Sequence, residues 1–361
     1  MLKAINVRRI RGFDGLRALS ALMVFYEHKV SPNGIGALGV WTFFCLSGYL
    51  IIGILHRARV AVERDGTPEA RHQALLDFWR NRAVRIFPIY YATLFVVAAA
   101  GRMKFPELAY YLTYLQNFYI GFGSHNWGTI THFWSLAIEQ QFYVLAAPPL
   151  IWMTASKHRA SMLGVLGCCV AFIVIAGVAG WDEMQVSLVP FSNFAFMAVG
   201  GYIALEGERS RLGAIVGHPM VLAVSTFGIA AEYVALWVKN PHVDVMPSHA
   251  YLAGLLFAGS LLYFVLERQT GLLVSFLELP PLRWLGTISY GFYVYHYLVP
   301  NQEPLLQRLH WGVLTRLTHV EWIVVQLACS LLIAHVSWVY FERRFLALKS
   351  HKSVSGVGRV T

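Results

Sequence analysis

Three ionisable side chains share one side of the first apolar stretch of this chain. Arg17 and His28 are separated by ten residues. Eleven residues of α-helix turn through about 1100°, so the two side chains point within roughly 20° of each other, about 16 Å apart along the axis. Asp14, three residues before Arg17, falls within about 40° of the same stripe. Placing each of these groups inside a bilayer costs about 2.5 kcal/mol or more, which makes them functional candidates. The imidazole suits general-base or nucleophilic work near neutral pH, and the guanidinium suits an anion.

Three further constellations carry chemistry-bearing side chains. In HFWSLAIEQQFY, His132, Ser135 and Glu139 stand at i, i+3 and i+7, on one helical stripe. A carboxylate at Glu139 needs a partner: it can orient an imidazole, position a substrate hydroxyl or tie helices together. A Ser-His-Glu hydrolase would require a nucleophile elbow, and no such motif is present. Arg82 and Arg85, with Arg80 close by, lie just before Pro88. Their forks match a phosphate, although basic residues beside a membrane span also serve orientation alone. Ser47 and Gly48 in FFCLSGYLI give either close helix packing or room for a ligand. Tyr290, Tyr293 and His296 follow one another along a single helix in GTISYGFYVYHYLV, as interfacial hydrogen bonders or as substrate contacts.

The elements that position these groups must be membrane helices. Of 361 residues, 57% are hydrophobic and 13% charged, and 11 Trp, 18 Tyr and 23 Phe are present; the mean hydropathy is +0.53. Ten apolar stretches, near 13-30, 38-56, 86-101, 133-153, 161-179, 188-206, 215-238, 249-266, 284-300 and 321-341, predict an all-α polytopic membrane protein. With both termini cytoplasmic, 22 of the 29 basic residues fall on the inner side. The net charge of +10 is then topology and headgroup attraction, not nucleic-acid binding. Residues 1-346 are expected to form a single membrane domain, with a cytoplasmic tail over 347-361, disordered by composition. The polar segment 57-85 is expected in the cytoplasm, its later part lying as a helix among headgroups. Lys3, Arg8, Arg9 and Arg11 ahead of an apolar run imitate a signal peptide, but Asp14 and Arg17 intrude, so an uncleaved first span is expected. Cys45, Cys168, Cys169 and Cys329 lie within the predicted helices without metal-ligand spacing or a disulfide framework.

Five strings in order, GFDGLRALSALMVFYEH, FFCLSGYLI, RAVRIFPIYY, FWSLAIEQQFYVLAAP and GTISYGFYVYHYL, give the chain its resemblance to acyltransferase family 3. These are membrane acyltransferases of the O-antigen, exopolysaccharide and nodulation-factor type, and the resemblance covers essentially the whole chain. It implies transfer of an acyl group, usually acetyl, from a cytosolic acyl-coenzyme A to a hydroxyl, typically of a sugar. His28 and Arg17 match family residues regarded as essential, Arg82 and Arg85 match its second arginine motif, and Glu139 matches the glutamate after its WSL string. The closing SWVYFERRF departs from the family, since Arg344 stands where a proline is usual, and no role is carried to Glu342.

The expected site therefore has His28, Glu139 and Asp14 in catalysis, with His28 as general base or transient acyl carrier. Arg17, Arg82 and Arg85 hold the acyl-coenzyme A. Ser47, Trp134, Ser135, Tyr293 and His296 contact substrate. Neither metal nor haem is expected, although His28, His132, His296 and His335 would be the axial ligands of a haem protein. The expected partners are acyl-coenzyme A, a cell-envelope carbohydrate or lipid-linked glycan, and lipid, in the bacterial plasma membrane. A lipophilic alcohol such as a macrolide is an alternative acceptor, and a transporter or flippase is the non-enzymatic alternative. Family members acting on peptidoglycan often carry an extra soluble domain for which this chain has no room, which favours another carbohydrate.

Overall fold

The computed structural model describes residues 9-128, 130-206, 211-239, 247-300 and 318-349. Among them are ten long helices and no strand: α1 (Phe13–Lys29), α2 (Ile35–Asp65), α3 (Pro68–Ala99), α4 (Trp134–Trp152), α5 (His158–Val178), α6 (Pro190–Glu206), α7 (Pro219–Lys239), α8 (Ser248–Glu267), α9 (Pro280–Tyr295) and α10 (His319–Ser337). Each of the ten expected stretches coincides with one of these helices. By length and composition, five segments among the described residues qualify to cross a membrane: α2, α3, Ala155–Val178, α8 and His319–Leu346. Of the expected tail over 347-361, the part from residue 350 onwards lies outside the described residues.

Local sequence explains where the helices turn. Gly12, at φ 88°, precedes α1, and the amide of Gly12 donates to the Glu278 carboxylate at 2.7 Å, placing negative charge at the positive end of the helix. Gly66, at φ 77°, ends α2 in a left-handed conformation. Thr67 then caps α3 by accepting from the Ala70 amide, with Pro68 in the first turn. This stop-cap-start sequence corrects the expectation for 57-85. The polar segment is not a loop with a headgroup helix but the outer ends of two long helices joined by a tight turn. Arg59 within it is buried and donates to the Ile151 carbonyl. Pro88 falls inside α3 and does not begin a helix.

Burial sorts the helices into centre and periphery. Within its apolar window α2 is 72% buried by the rest of the protein, against 22% for the windows of Ala155–Val178 and His319–Leu346. The central helix gains its neighbours through glycine. A Cβ on Gly48 would run into the Met197 backbone of α6, and one on Gly286 of α9 into the Asp14 carbonyl of α1. α1 is thereby held between α2 and α9, and its charged stripe faces the interior. Short helices at Glu107–Leu112 and Gln116–Phe118 follow α3. Gln116 donates to the Phe133 carbonyl and Gln141 to Asn117, fixing the turn that delivers His132 to the start of α4.

Candidate functional site

Two cavities follow one another along α1, α2, α4 and α9, the first also walled by α3. The smaller, about 110 Å³, is lined by Arg17, Arg82, Arg85, Glu139, Ser47, Ser135, Tyr143, Tyr290 and Tyr293 among others. Its three guanidiniums face a single lining carboxylate, so the cavity favours an anion. Arg17 Nη1 is held by Asp14 Oδ1 at 3.0 Å, and Asp14 Oδ2 in turn pairs with Arg9 Nε at 2.9 Å. Glu139 accepts from Ser47 Oγ at 2.6 Å and from the Tyr143 hydroxyl. The Nε of Arg82 is buried without a hydrogen-bond partner, a donor ready for an acceptor on a ligand. Past α10 and the short helical turns through Leu346, Lys349 is pushed down to about 8 by burial and by the neighbouring Arg85 and Arg82 charges. The chain there is tied back by Arg80, which donates to the Leu348 carbonyl.

The larger cavity, about 350 Å³, is lined by Glu27, His28, Trp127, His132, Trp134, Tyr251, Tyr293 and Tyr297 among others. Its chemistry is set by a relay of hydrogen bonds. His296 Nδ1 lies 2.7 Å from the Tyr293 carbonyl and 3.2 Å from that of Phe292. A carbonyl only accepts, so Nδ1 carries the proton and Nε2 of neutral His296 is an acceptor. His28 Nδ1 lies 2.8 Å from that Nε2 and must donate to it. The network thus assigns His28 the tautomer with an unprotonated Nε2. The two rings stack at 5.1 Å, 12° from parallel.

The structure distributes the expected site residues unevenly. Arg17, Arg82, Arg85, Glu139, Ser47 and Ser135 gather in the arginine cavity, while His28 and Trp134 line the histidine cavity, and Tyr293 borders both. Two expectations need correction. Asp14 lines neither cavity: it sits at the opposite end of α1 from His28, holding Arg17, so it positions a cation rather than sharing the proton transfer. Glu139, whose partner was left open, is hydrogen-bonded to Ser47 of α2 and Tyr143 among the arginines. His296 is fully buried and lines neither cavity, so it positions His28 instead of contacting substrate. Ser47 and Gly48 divide the two roles left open for them, Ser47 facing the cavity and Gly48 packing on α6.

His132 was not among the expected acyltransferase site residues, yet it closes the histidine cluster. It is 2% exposed, its Nε2 lies 3.3 Å from the Val294 carbonyl, and its Nδ1 is buried without a partner. Its ring packs 5.2 Å from His296 and 4.9 Å from Tyr297. Its place in HFWSL was the available signal, but nothing there says that α4 begins beside α9. Glu342, also passed over, is buried where a Cβ on Gly291 would meet its Oε1 at 2.8 Å. Among the described residues no group of three His, Cys, Asp or Glu side chains is arranged to hold a metal ion, and His28 and His296 spend facing nitrogens on each other.

Comparison with known proteins adds an independent finding. A family model described as an acyltransferase domain matches residues 10–342. The peptidoglycan O-acetyltransferase OatA of Listeria monocytogenes is 26% identical over 92% of this chain and 55% of its own length. The O-acetyltransferase OatA of Staphylococcus aureus is 25% identical over 94% of this chain and 58% of its own length. The chain therefore spans a little over half the length of these curated relatives. No solved structure matches. With ten helices on the expected stretches, the arginine and histidine motifs gathered in adjoining cavities, and a family match over nearly all its length, the chain belongs to acyltransferase family 3.

Proposed function

We propose that this protein is a membrane O-acyltransferase that moves an acyl group, acetyl in the simplest case, from acyl-coenzyme A to a hydroxyl of a cell-envelope carbohydrate. One observation carries the reading: guanidiniums and the unprotonated nitrogen of His28 line consecutive cavities that meet at Val40 and Tyr293. The arginine cavity, on the cytoplasmic side in this reading, grips the phosphates of the donor through Arg82, Arg85 and Arg17. Its acyl-bearing arm extends along α1 towards His28.

The acceptor hydroxyl donates to His28 Nε2, and as its oxygen attacks the thioester carbonyl the proton passes to that nitrogen. The positive charge formed on His28 is eased through Nδ1–H into His296 Nε2, whose own Nδ1–H points at two carbonyls. The tetrahedral intermediate then expels the thiolate, which takes the proton from His28 and leaves as free coenzyme A. An ester and a thiol are the products, and the imidazole returns to its starting state.

A carbohydrate acceptor is supported by the lining of the larger cavity. Trp127, Trp134 and Tyr297 offer flat apolar faces to sugar C–H groups, and Glu27 offers a hydroxyl acceptor. The Listeria relative is named for peptidoglycan, which returns peptidoglycan to the class of candidate acceptors alongside O-antigen and exopolysaccharide. Purified protein in proteoliposomes, given labelled acetyl-coenzyme A and envelope glycan fractions, should release one thiol for each ester formed. Thiol-free, label-free mixtures across all fractions would refute the reading. Quenching within milliseconds without acceptor should find no label on the protein, whereas labelled His28 would mark it as a transient acyl carrier.

A further inference from the structure

The two cavities share two lining residues and no others, Val40 of α2 and Tyr293 of α9. Everything else that faces the arginines belongs to the smaller space, and everything else that faces His28 belongs to the larger. A chain running from one cavity to the other has to pass the wall that these two side chains form in common.

Both walls of this neck are held in place. The Tyr293 hydroxyl donates to the His132 carbonyl at 2.7 Å and lies 2.6 Å from Ser135 Oγ. The Phe43 ring meets it edge-on at 6.3 Å. Swinging the ring aside would break two buried hydrogen bonds at once. The other shared residue, Val40, is 7% exposed and precedes Trp41, which stacks on Phe196 at 5.0 Å, 11° from parallel. Valine branches at Cβ and has one strongly preferred side-chain rotamer in a helix. A fixed aromatic face and a stiff branched side chain make an aperture of set width rather than a flexible one.

We propose that the Val40–Tyr293 neck is the passage for the acyl-bearing end of the donor, and that Val40 sets the size of acyl group that reaches His28. The inference rests on the acyl-coenzyme A reading above and extends it to specificity. A short acyl group slips past the valine methyls, and a longer or branched one meets them. Tyr293 serves as the fixed wall because its hydrogen bonds prevent retreat, so the selectivity is adjustable at Val40.

The test compares kcat/KM for acetyl-, butyryl- and isobutyryl-coenzyme A in wild type, Val40→Ala and Val40→Phe, with coenzyme A binding measured separately by calorimetry. The ratio between donors is taken within one preparation, so partial misfolding of a variant cancels. Val40→Ala should raise the butyryl-to-acetyl ratio about tenfold or more, the discrimination that a methylene-sized change in an apolar pocket supplies. Val40→Phe should lower acetyl transfer about 100-fold while coenzyme A binding stays within about threefold of wild type. Ratios unchanged in both variants, beside a wild type that binds coenzyme A and transfers acetyl, would overturn the neck alone. Failure of wild type to bind coenzyme A at all would overturn the donor reading and this proposal with it.

Discussion

The arginine cavity and the histidine cavity share α1, α2, α4 and α9, with α3 adding its arginines to the first and α8 adding Tyr251 to the second, and they differ in almost every physical respect. The first is small and crowded with charge: three guanidiniums, one carboxylate, and Asp14 bracing Arg17 from behind. The second is three times larger, walled by aromatic rings, and its polar heart is a chain of imidazoles ending on backbone carbonyls. The difference separates two tasks that compete when they share a space. Guanidiniums beside His28 would oppose formation of the imidazolium, whereas in a separate cavity they would, in the proposed mechanism, hold a charged donor without disturbing the base. Binding energy gathered at the donor's phosphates would then be available to position the thioester.

The comparison breaks most sharply at His28. In the proposed mechanism His28→Ala should lower kcat by about 10²- to 10⁴-fold, the usual worth of a general base, with coenzyme A binding unchanged. Equal loss of binding and turnover would dissolve the division of labour. At the other cavity, Arg82→Ala or Arg85→Ala should raise the donor KM about tenfold or more, in line with a lost charge-assisted hydrogen bond. Lysine should restore only part of this, because it offers a point charge in place of a planar fork. A KM rescued fully by Lys would indicate general attraction rather than phosphate recognition. His296→Phe removes the acceptor that fixes the His28 tautomer while keeping a ring of similar size. It should lower kcat about tenfold, roughly one hydrogen bond's worth, and leave donor KM in place.

The smallest effect concerns Lys349. Burial and the adjacent guanidiniums lower its ammonium to about 8, and an anion nearby would raise it again. The charge that attracts the donor is therefore full below about pH 7 and fades as pH rises through 8. Coenzyme A affinity should weaken a few-fold between pH 7 and 9, and Lys349→Gln should flatten that dependence. A pH profile identical in wild type and variant would remove Lys349 from the donor site.

Much of the helical frame was legible in the sequence. Long apolar runs announce helices, and each of the ten runs coincides with one, five of them in segments long and apolar enough to cross a membrane among the described residues. The exception was residues 57-85, where polar composition suggested a loop. Thr67 and Pro68 were the missed signals, a cap and a helix start immediately after Gly66, which extend α2 and α3 into one hairpin. At the site, the arginines and His28 were readable because their spacing fixes a shared face. Asp14, Glu139 and His296 were recognised as candidate groups, but their partners were not legible. A carboxylate three residues from an arginine and a histidine three residues from a tyrosine are equally compatible with contacting substrate and with bracing a neighbour.

By itself, the sequence determined which face of each helix carries charge and which residues line up along it, because helical periodicity is a local property of 3.6 residues per turn. It thereby placed Arg17 and His28 on one stripe. Only the tertiary structure decided which stripes meet. His28 and His296 are 268 positions apart, and they share a proton because glycines at Gly286 and Gly48 let α9 approach α1 and α6 approach α2 to backbone contact. The protonation pattern of the base, the orphaned nitrogen of His132 and the neck at Val40 and Tyr293 all arise from that packing, which no single helix encodes.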